Sequence, residues 1–338
     1  MNPDSVKNSK PKIGVLLMAM GTPAAPTYWA IRRYLSEFLS DRRVIELSPF
    51  LWQPILQGII LTFRPQRLCK LYKKIWDFKA NKSPLALITQ HQAEALHQQI
   101  DNPDIEVEWA MRYGKPTIAQ KINRLLESGC NHILALPLYP QYSSTTTASA
   151  LDNVFKHMQC LRNQPTLKTL TSFADYPHYI EALTKTIQQH LLQRSMRPQH
   201  IIVSFHGLPK KYVEAGDPYE DECEKTFYAL RQALIGEDFS MSIAYQSQFG
   251  PNQWLEPNIK DVMKNLLNKG VKDISVIAPS FFADCLETLE EISHTYKEQF
   301  LAAGGKHFSY IPCLNDSKDA ISMLENLIKE QLKGWLTE

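Results

Sequence analysis

Apolar residues recur along this chain with two different periods. Short runs rich in valine, isoleucine and leucine, each closed by glycine or proline, predict strands buried on both faces. In the first half they fall at residues 12–20 (KIGVLLMAM), 105–112 (IEVEWAMR), 132–141 (HILALPLYPQ) and, more briefly, 168–173. In the second half they fall at 201–206 (IIVSFH), 240–248 (SMSIAYQSQ), 273–282 (DISVIAPSFF) and 307–314 (HFSYIPCL). Between them, apolar positions three and four apart predict helices at 28–39, 68–77, 86–99, 117–128, 148–159, 177–193, 218–235 and 258–269. Two more are expected, one directly after Glu287 and one at 316–336.

The halves answer each other in order. MGTP closes the first strand of one half and FHGLP that of the other; RYGKP answers QFGPNQ, and PLYPQYS answers APSFFAD. Strands alternating with helices in this way predict an α/β protein of two Rossmann-like, doubly wound domains with parallel sheets, related by duplication. The expected limits are 12–173 and 174–315, with a C-terminal helix at 316–338. Ligands of such folds bind beyond the carboxyl ends of the strands, so the two sets of strand ends are expected to face one cleft.

One window departs from the pattern. Residues 48–64 (SPFLWQPILQGIILTFR) are the most apolar of the chain, interrupted by Pro54 and Gly58. The window is too short and broken for a bilayer span, which needs about 20 continuous apolar residues. Two readings stand: a core helix, or an exposed apolar lip at 50–63 that receives an apolar ligand or touches a membrane surface.

Composition narrows the function. The chain has 338 residues and a net charge of +2, without a basic run interleaved with aromatics, which argues against a nucleic-acid partner. Residues 1–12 are polar and lysine-bearing, and predict a short arm rather than a signal peptide. The six cysteines (Cys69, Cys130, Cys160, Cys223, Cys285 and Cys313) form no CxxC pair, so no local zinc or iron–sulfur ligand set is suggested. Scattered cysteines of this kind fit a reducing cytoplasm. GxGxxG, Walker and GxSxG spacings are absent, which removes the common nucleotide and serine-hydrolase readings.

The candidate chemistry gathers at strand ends. His206 ends the IIVSFH run, where it either hydrogen-bonds a turn or reacts. Glu287, Glu290 and Glu291 open the helix after DISVIAPSFF, with Asp284 just before it. Helical spacing aligns Glu287 with Glu291 and Glu290 with His294, while carboxylates in a first turn also complement the helix dipole. That dipole accounts for Glu290, which the pattern turns outward. A histidine and a carboxylate meeting in a cleft can ligate a divalent metal or move protons. Tyr113, Tyr139, Tyr142, Trp254 and Phe281, all near strand ends, suggest a flat aromatic ligand. Arg112 would hold a carboxylate of that ligand or steady the cleft wall.

Taken together, PLYPQYSSTTTAS, AMRYGKP, SFHGLP, YQSQFGPNQWLEP, SFFADCLETLEEI and IPCLNDS resemble the ferrochelatases, which insert ferrous iron into a porphyrin. The resemblance runs over residues 12–317 in the family's order and implies two Rossmann-like domains around a porphyrin cleft. It places the family's essential pair on His206 and Glu287, as catalytic and metal-binding residues, with Glu291 behind Glu287 on a proton or iron path. Met20 falls on the residue facing the opposite side of the macrocycle. Arg112, Tyr113, Tyr142, Trp254 and Phe281 fall along the porphyrin site, and Arg64 and Ser83 fall on positions associated with the porphyrin carboxylates.

The sequence also departs from the family pattern. Ala19 stands for an asparagine, and Lys82 for the glycine before Ser-Pro. Ser144 stands where cluster-bearing members carry a cysteine, and no cysteine follows Cys313, so no iron–sulfur cluster of that type is expected. The resemblance implies the terminal step of haem biosynthesis, with protoporphyrin IX and Fe²⁺ as substrates, two protons released and no permanently bound cofactor. Met20 in place of the tyrosine of the coproporphyrin-using branch leans toward protoporphyrin. Another tetrapyrrole chelatase, or a non-catalytic porphyrin or haem carrier, remains the alternative. A cytoplasmic monomer is expected, peripheral to the inner membrane if the 50–63 lip touches it.

Overall fold

The computed structural model describes residues 11–248 and 252–336. The expected N-terminal arm lies almost wholly outside the described residues, as does the Phe249-Gly250-Pro251 turn. Strands β1 (Ile13–Gly21), β2 (Ile105–Tyr113), β3 (His132–Pro137) and β4 (Thr166–Thr169) form one parallel sheet in the order β2-β1-β3-β4. Strands β5 (His200–His206), β6 (Ser240–Gln246), β7 (Asp273–Ile277) and β8 (His307–Ile311) form a second, in the order β6-β5-β7-β8. Strand for strand the second order repeats the first.

The repeat extends to the backbone. After β2 the chain turns back so that Met111 N donates to Pro116 O at 2.8 Å, and Thr117 caps the next helix. After β6, Tyr245 N donates to Pro257 O at 2.8 Å and Asn258 caps the next helix. Several strands stop earlier than their apolar runs. Proline has no N–H for a ladder, so β3 ends at Pro137 and β7 ends before Pro279. The fourth strand lies at Thr166–Thr169, slightly upstream of its expected place.

The helices of the first half are α1 (Tyr28–Leu39), α2 (Pro49–Ile55), α3 (Leu61–Ile75), α4 (Pro84–Ile100), α5 (Ile118–Glu127) and α6 (Ser149–Cys160). Those of the second are α7 (Pro177–Leu192), α8 (Lys210–Glu214), α9 (Tyr219–Ala233), α10 (Ile259–Asn268), α11 (Lys297–Ala302) and α12 (Lys318–Leu332). Residues 287–296 form a π-helix that runs into α11.

The two halves are not separate globules. Ile13, Val15 and Leu17 of β1 and Ile201, Val203 and Phe205 of β5 belong to one buried apolar cluster with residues of α7 and α12. Each such side chain contributes roughly 1.5–3 kcal/mol relative to exposure. The C-terminal helix returns to the first half: Gln99 Nε2 donates to Glu325 Oε2 at 2.5 Å, and the Trp335 ring lies 4.9 Å from that of His132. Helix α12 and the residues after it therefore staple the second half to the first.

The apolar window has an inner row packed as core and an outer row that is exposed. Helix α2, a π-helical turn at Leu56–Ile60 and α3 run on without a break. Leu56 and Leu61 face inward with Tyr72 and Trp76 against Ile31, Leu35 and Leu39 of α1. Phe50 (92%), Leu51 (71%), Ile59 (59%) and Phe63 (72%) face out. Pro65 lies inside α3, where it removes the hydrogen bond that Leu61 O would accept. The Tyr28 hydroxyl donates to that carbonyl instead, at 3.1 Å, and the helix continues.

Candidate active site

The carboxyl ends of the two sheets meet. The loop after β3 is bonded to the segment after β5: Ser144 N donates to Asp217 Oδ2 at 2.7 Å, and Ser143 Oγ to the same oxygen at 2.9 Å. Tyr142 is half-buried on this seam, its backbone N–H donating to Glu222. The lip is tied across as well, because Tyr212 of α8 donates to Val44 O at 2.9 Å. Along β1 every residue is buried except Met20, which is half-exposed at the cleft end of the strand.

His206 closes β5 and is half-buried. Its N–H donates to Ser280 Oγ at 3.1 Å, its Nδ1 lies 2.7 Å from Gly207 O, and its ring meets that of Phe281 edge-on at 6.1 Å between centroids. The Nδ1 contact requires the proton there, which leaves Nε2 as the basic nitrogen. Behind it, Gly207 packs against both Gln246 O and the Trp254 ring.

Glu287 reaches the same sheet edge from the π-helix. Gln246, paired in register with His206, donates from Nε2 to Glu287 O at 3.0 Å and accepts from Ser204 Oγ at 2.8 Å through Oε1. It is wholly buried. This amide, which sequence reasoning passed over, joins the strand of His206 to the first turn of Glu287. Its only sequence signal was a polar residue closing an apolar run.

The Glu287 carboxylate faces the lip. Its charge adds to burial in raising the hydroxyls of Tyr34 on α1 and Tyr72 on α3, and the Cys285 thiol. Arg64 of α3 is solvent-exposed yet surrounded by protein, as a residue lining an open cleft is. Enclosure lowers its guanidinium from the ordinary range, while the Glu287 charge supports the cation.

The π-helix changes two expectations about the acidic cluster. Its longer turn brings residues five apart together, so Tyr296 donates to Glu291 at 2.5 Å and Thr295 to Glu290 at 3.3 Å. Glu291 also accepts from Ser247 N at 3.1 Å and from Ser247 Oγ at 2.5 Å, pinning the residue after β6 in a positive-φ conformation. Glu290 does not face outward as expected. Its side chain is 13% exposed, 4.0 Å from Lys74 of α3, because the lip helix packs over this face.

Three candidates for direct ligand contact are otherwise engaged. Arg112 donates from Nε to Ser149 Oγ at 2.6 Å and pairs with Asp41 at 2.5 Å, so it steadies the cleft wall rather than presenting a free cation. Tyr113 is fully buried, with its hydroxyl on Asp41 at 2.7 Å. Ser83 is 2% exposed and caps α4 by accepting from Ala86 N at 3.3 Å. Among the described residues no three His, Cys, Asp or Glu side chains converge as a metal-holding group.

The sequence profile of the ferrochelatases matches residues 12–332. The chain belongs to the ferrochelatase family. The ferrochelatase of Gluconobacter oxydans (strain 621H) is 48% identical over 324 residues, spanning 96% of this chain and 94% of that one. The ferrochelatase of Brucella ovis is 47% identical over 328 residues, spanning 96% and 93%. Among solved structures, SirB from Bacillus subtilis with Fe3+ superposes with a TM-score of 0.56 at 11% identity, over 95% of each chain, a likeness of fold. This ferrochelatase is thus a metal chelatase, a lyase, that inserts iron into a porphyrin. No helix among the described residues is long and apolar enough to cross a membrane.

Proposed function

We propose that the porphyrin is protoporphyrin IX and that His206 and Glu287 carry the insertion of Fe²⁺. The observation that supports this most is the Gln246 bridge, which places the histidine strand and the glutamate turn at one sheet edge. Insertion requires that two pyrrole N–H protons leave the ring and that the metal shed its water. His206 Nε2 meets the ring nitrogens as proton acceptor or metal ligand, and Glu287 takes the complementary part. Glu291, held by Ser247 and Tyr296, backs Glu287 on the path for protons or iron. A cleft that favours a bent macrocycle over a planar one lowers the barrier to metal entry.

Met20, an apolar thioether at the end of β1, faces the other side of the ring, and Trp254 and Phe281 line it. Arg64 takes a propionate. The vinyl groups of protoporphyrin suit the apolar surroundings better than two further carboxylates would. Iron is substrate, and the reading includes no permanently bound cofactor and no iron–sulfur cluster. The outward row Phe50, Leu51, Ile59 and Phe63 covers the macrocycle and touches a membrane surface; the reading further takes the protein as a monomer in the cytoplasm, peripheral to the inner membrane.

The test is anaerobic loss of porphyrin fluorescence with ferrous or zinc ion, with protoporphyrin IX and coproporphyrin III compared side by side. Insertion faster with protoporphyrin, abolished in His206→Ala and cut sharply but measurably in Glu287→Gln, is the expected result. Preference for coproporphyrin overturns the substrate assignment, and native rates in either variant overturn that residue's role.

A further inference from the structure

We infer that Asn315 is a positioning residue for Glu287, and that through Gln92 it couples the first half of the molecule to the reacting turn. The inference rests on the reading of Glu287 as the reacting carboxylate. Asn315 lies in the loop between β8 and α12, with φ of 53°. All four of its hydrogen-bonding groups are engaged. Its N–H donates to Phe282 O at 3.0 Å, and its Nδ2 donates to Asp284 Oδ2 at 2.7 Å. Its Oδ1 accepts from Asp284 N at 2.8 Å, and its carbonyl accepts from Gln92 Nε2 of α4 at 2.6 Å.

Three of these bonds hold residues 282–284, the segment that delivers the chain from β7 to Glu287. Asp284 passes the constraint on. Its Oδ1 accepts from Thr288 Oγ1 at 2.8 Å and from the Tyr310 hydroxyl at 2.5 Å, and Thr288 Oγ1 in turn accepts from Cys285 N at 3.0 Å. The turn on either side of Glu287 is therefore fixed by a buried carboxylate whose two oxygens accept three hydrogen bonds. Gln246 holds the Glu287 carbonyl from the other side, at 3.0 Å. The fourth bond reaches a fully buried residue of the first half, Gln92, so α4 and the Glu287 turn move together.

Glycine accepts a positive φ without strain, so Asn315→Gly removes both side-chain bonds and keeps the loop's backbone. Zinc insertion into protoporphyrin and metal-free porphyrin affinity, both read by fluorescence, separate positioning from binding. In Asn315→Gly the expected result is a fall in kcat of about tenfold or more, since small misplacement of a reacting group is costly. The porphyrin Kd stays within about twofold of native. Gln92→Leu lowers kcat in the same sense, and it carries the test if Asn315→Gly does not fold. In a Glu287→Gln background Asn315→Gly costs nothing further, because residues acting through one group are not additive. An unchanged kcat, or a loss confined to porphyrin affinity, overturns the inference, as does an equal further loss in the Glu287→Gln background. Native insertion by Glu287→Gln alone refutes the reading of Glu287 itself, a distinct result visible before any Asn315 variant is made.

Discussion

Asp41 and Arg112 form an ion pair whose side chains are only 9% and 11% exposed. Asp41 sits in the turn that follows α1 and leads to the lip; Arg112 ends β2 at the cleft. The same carboxylate accepts from Tyr113 at 2.7 Å, from Ser149 at 2.5 Å and from Arg43 N at 2.8 Å. The pair therefore clamps the base of the lip to the first sheet. Burial alone would raise the Asp41 carboxyl, but the hydrogen bonds from Ser149, Tyr113 and Arg43 N, with the Arg112 charge, lower it below the ordinary range.

Asp41→Ala leaves Arg112 buried without its counter-ion. The expected cost is about 3 kcal/mol, read as a lowered denaturant midpoint at pH 7. A carboxyl depressed on folding contributes stability above its unfolded pKa of about 3.9, and that contribution is lost as pH falls through the lower folded value. The gap between native and variant should hold constant from pH 8 to 5 and close only below about pH 4. A gap that closes near neutrality would assign the clamp to another group.

Gly207→Ala tests how tightly the histidine strand end is packed. A Cβ there would lie 2.6 Å from Gln246 O and 3.2 Å from Trp254 Cε3. The backbone oxygen cannot yield without moving the Gln246 bridge, so the strain is passed to both His206 and Glu287. We expect a loss of about 1–3 kcal/mol in stability together with a clear fall in kcat for zinc insertion. Native kinetics in a folded variant would show that the strand end tolerates displacement.

Much of this site was legible because its parts are local. An apolar run that ends in His-Gly-Leu-Pro announces a strand whose last residue meets a crevice, and β5 ends on His206 as that pattern requires. The duplicated order of strands was legible for the same reason. Arg112 was ambiguous because its partner Asp41 lies 71 residues away, and no spacing rule reaches that far. The π-helix was hidden because the polar and apolar residues of 287–296 suit a 3.6-residue turn as well; the lip helix packed on Glu290 and the Ser247–Glu291–Tyr296 bonds accompany the wider turn. The window at 50–63 was split between two readings because it holds an inner and an outer row, a distinction only packing reveals.

The outer row makes its own prediction. Phe50 is 92% and Phe63 72% exposed, so neither contributes much to folding. Replacing both with serine should leave thermal stability within about 0.5 kcal/mol of native. Co-sedimentation with phospholipid vesicles should fall at the same time. Undiminished sedimentation would remove these two rings from any membrane contact, and a large loss of stability would mean that the row is covered in solution.

Loss of stability between pH 6.5 and pH 4 should come from the second half, through His200 at the start of β5. It is 6% exposed, with Nδ1 2.6 Å from Ser240 Oγ and Nε2 2.8 Å from Ser242 Oγ. Burial, with a smaller contribution from the Lys269 charge, lowers its pKa from 6.5 to about 4. The unfolded chain then binds a proton that the folded chain refuses across that interval, so stability is full above pH 6.5 and falls as pH drops toward 4. The loss attributable to this residue is on the order of 3 kcal/mol. His200→Gln cannot take up the proton in either state. Its stability at pH 7.5 is expected to be lower than native, because a different amide must satisfy the two serines, but its decline between pH 7 and pH 4.5 should be shallower. Urea unfolding at several pH values reads both slopes directly; parallel slopes would mean that His200 already carries its proton in the folded protein, or that its burial is relieved before the ring titrates.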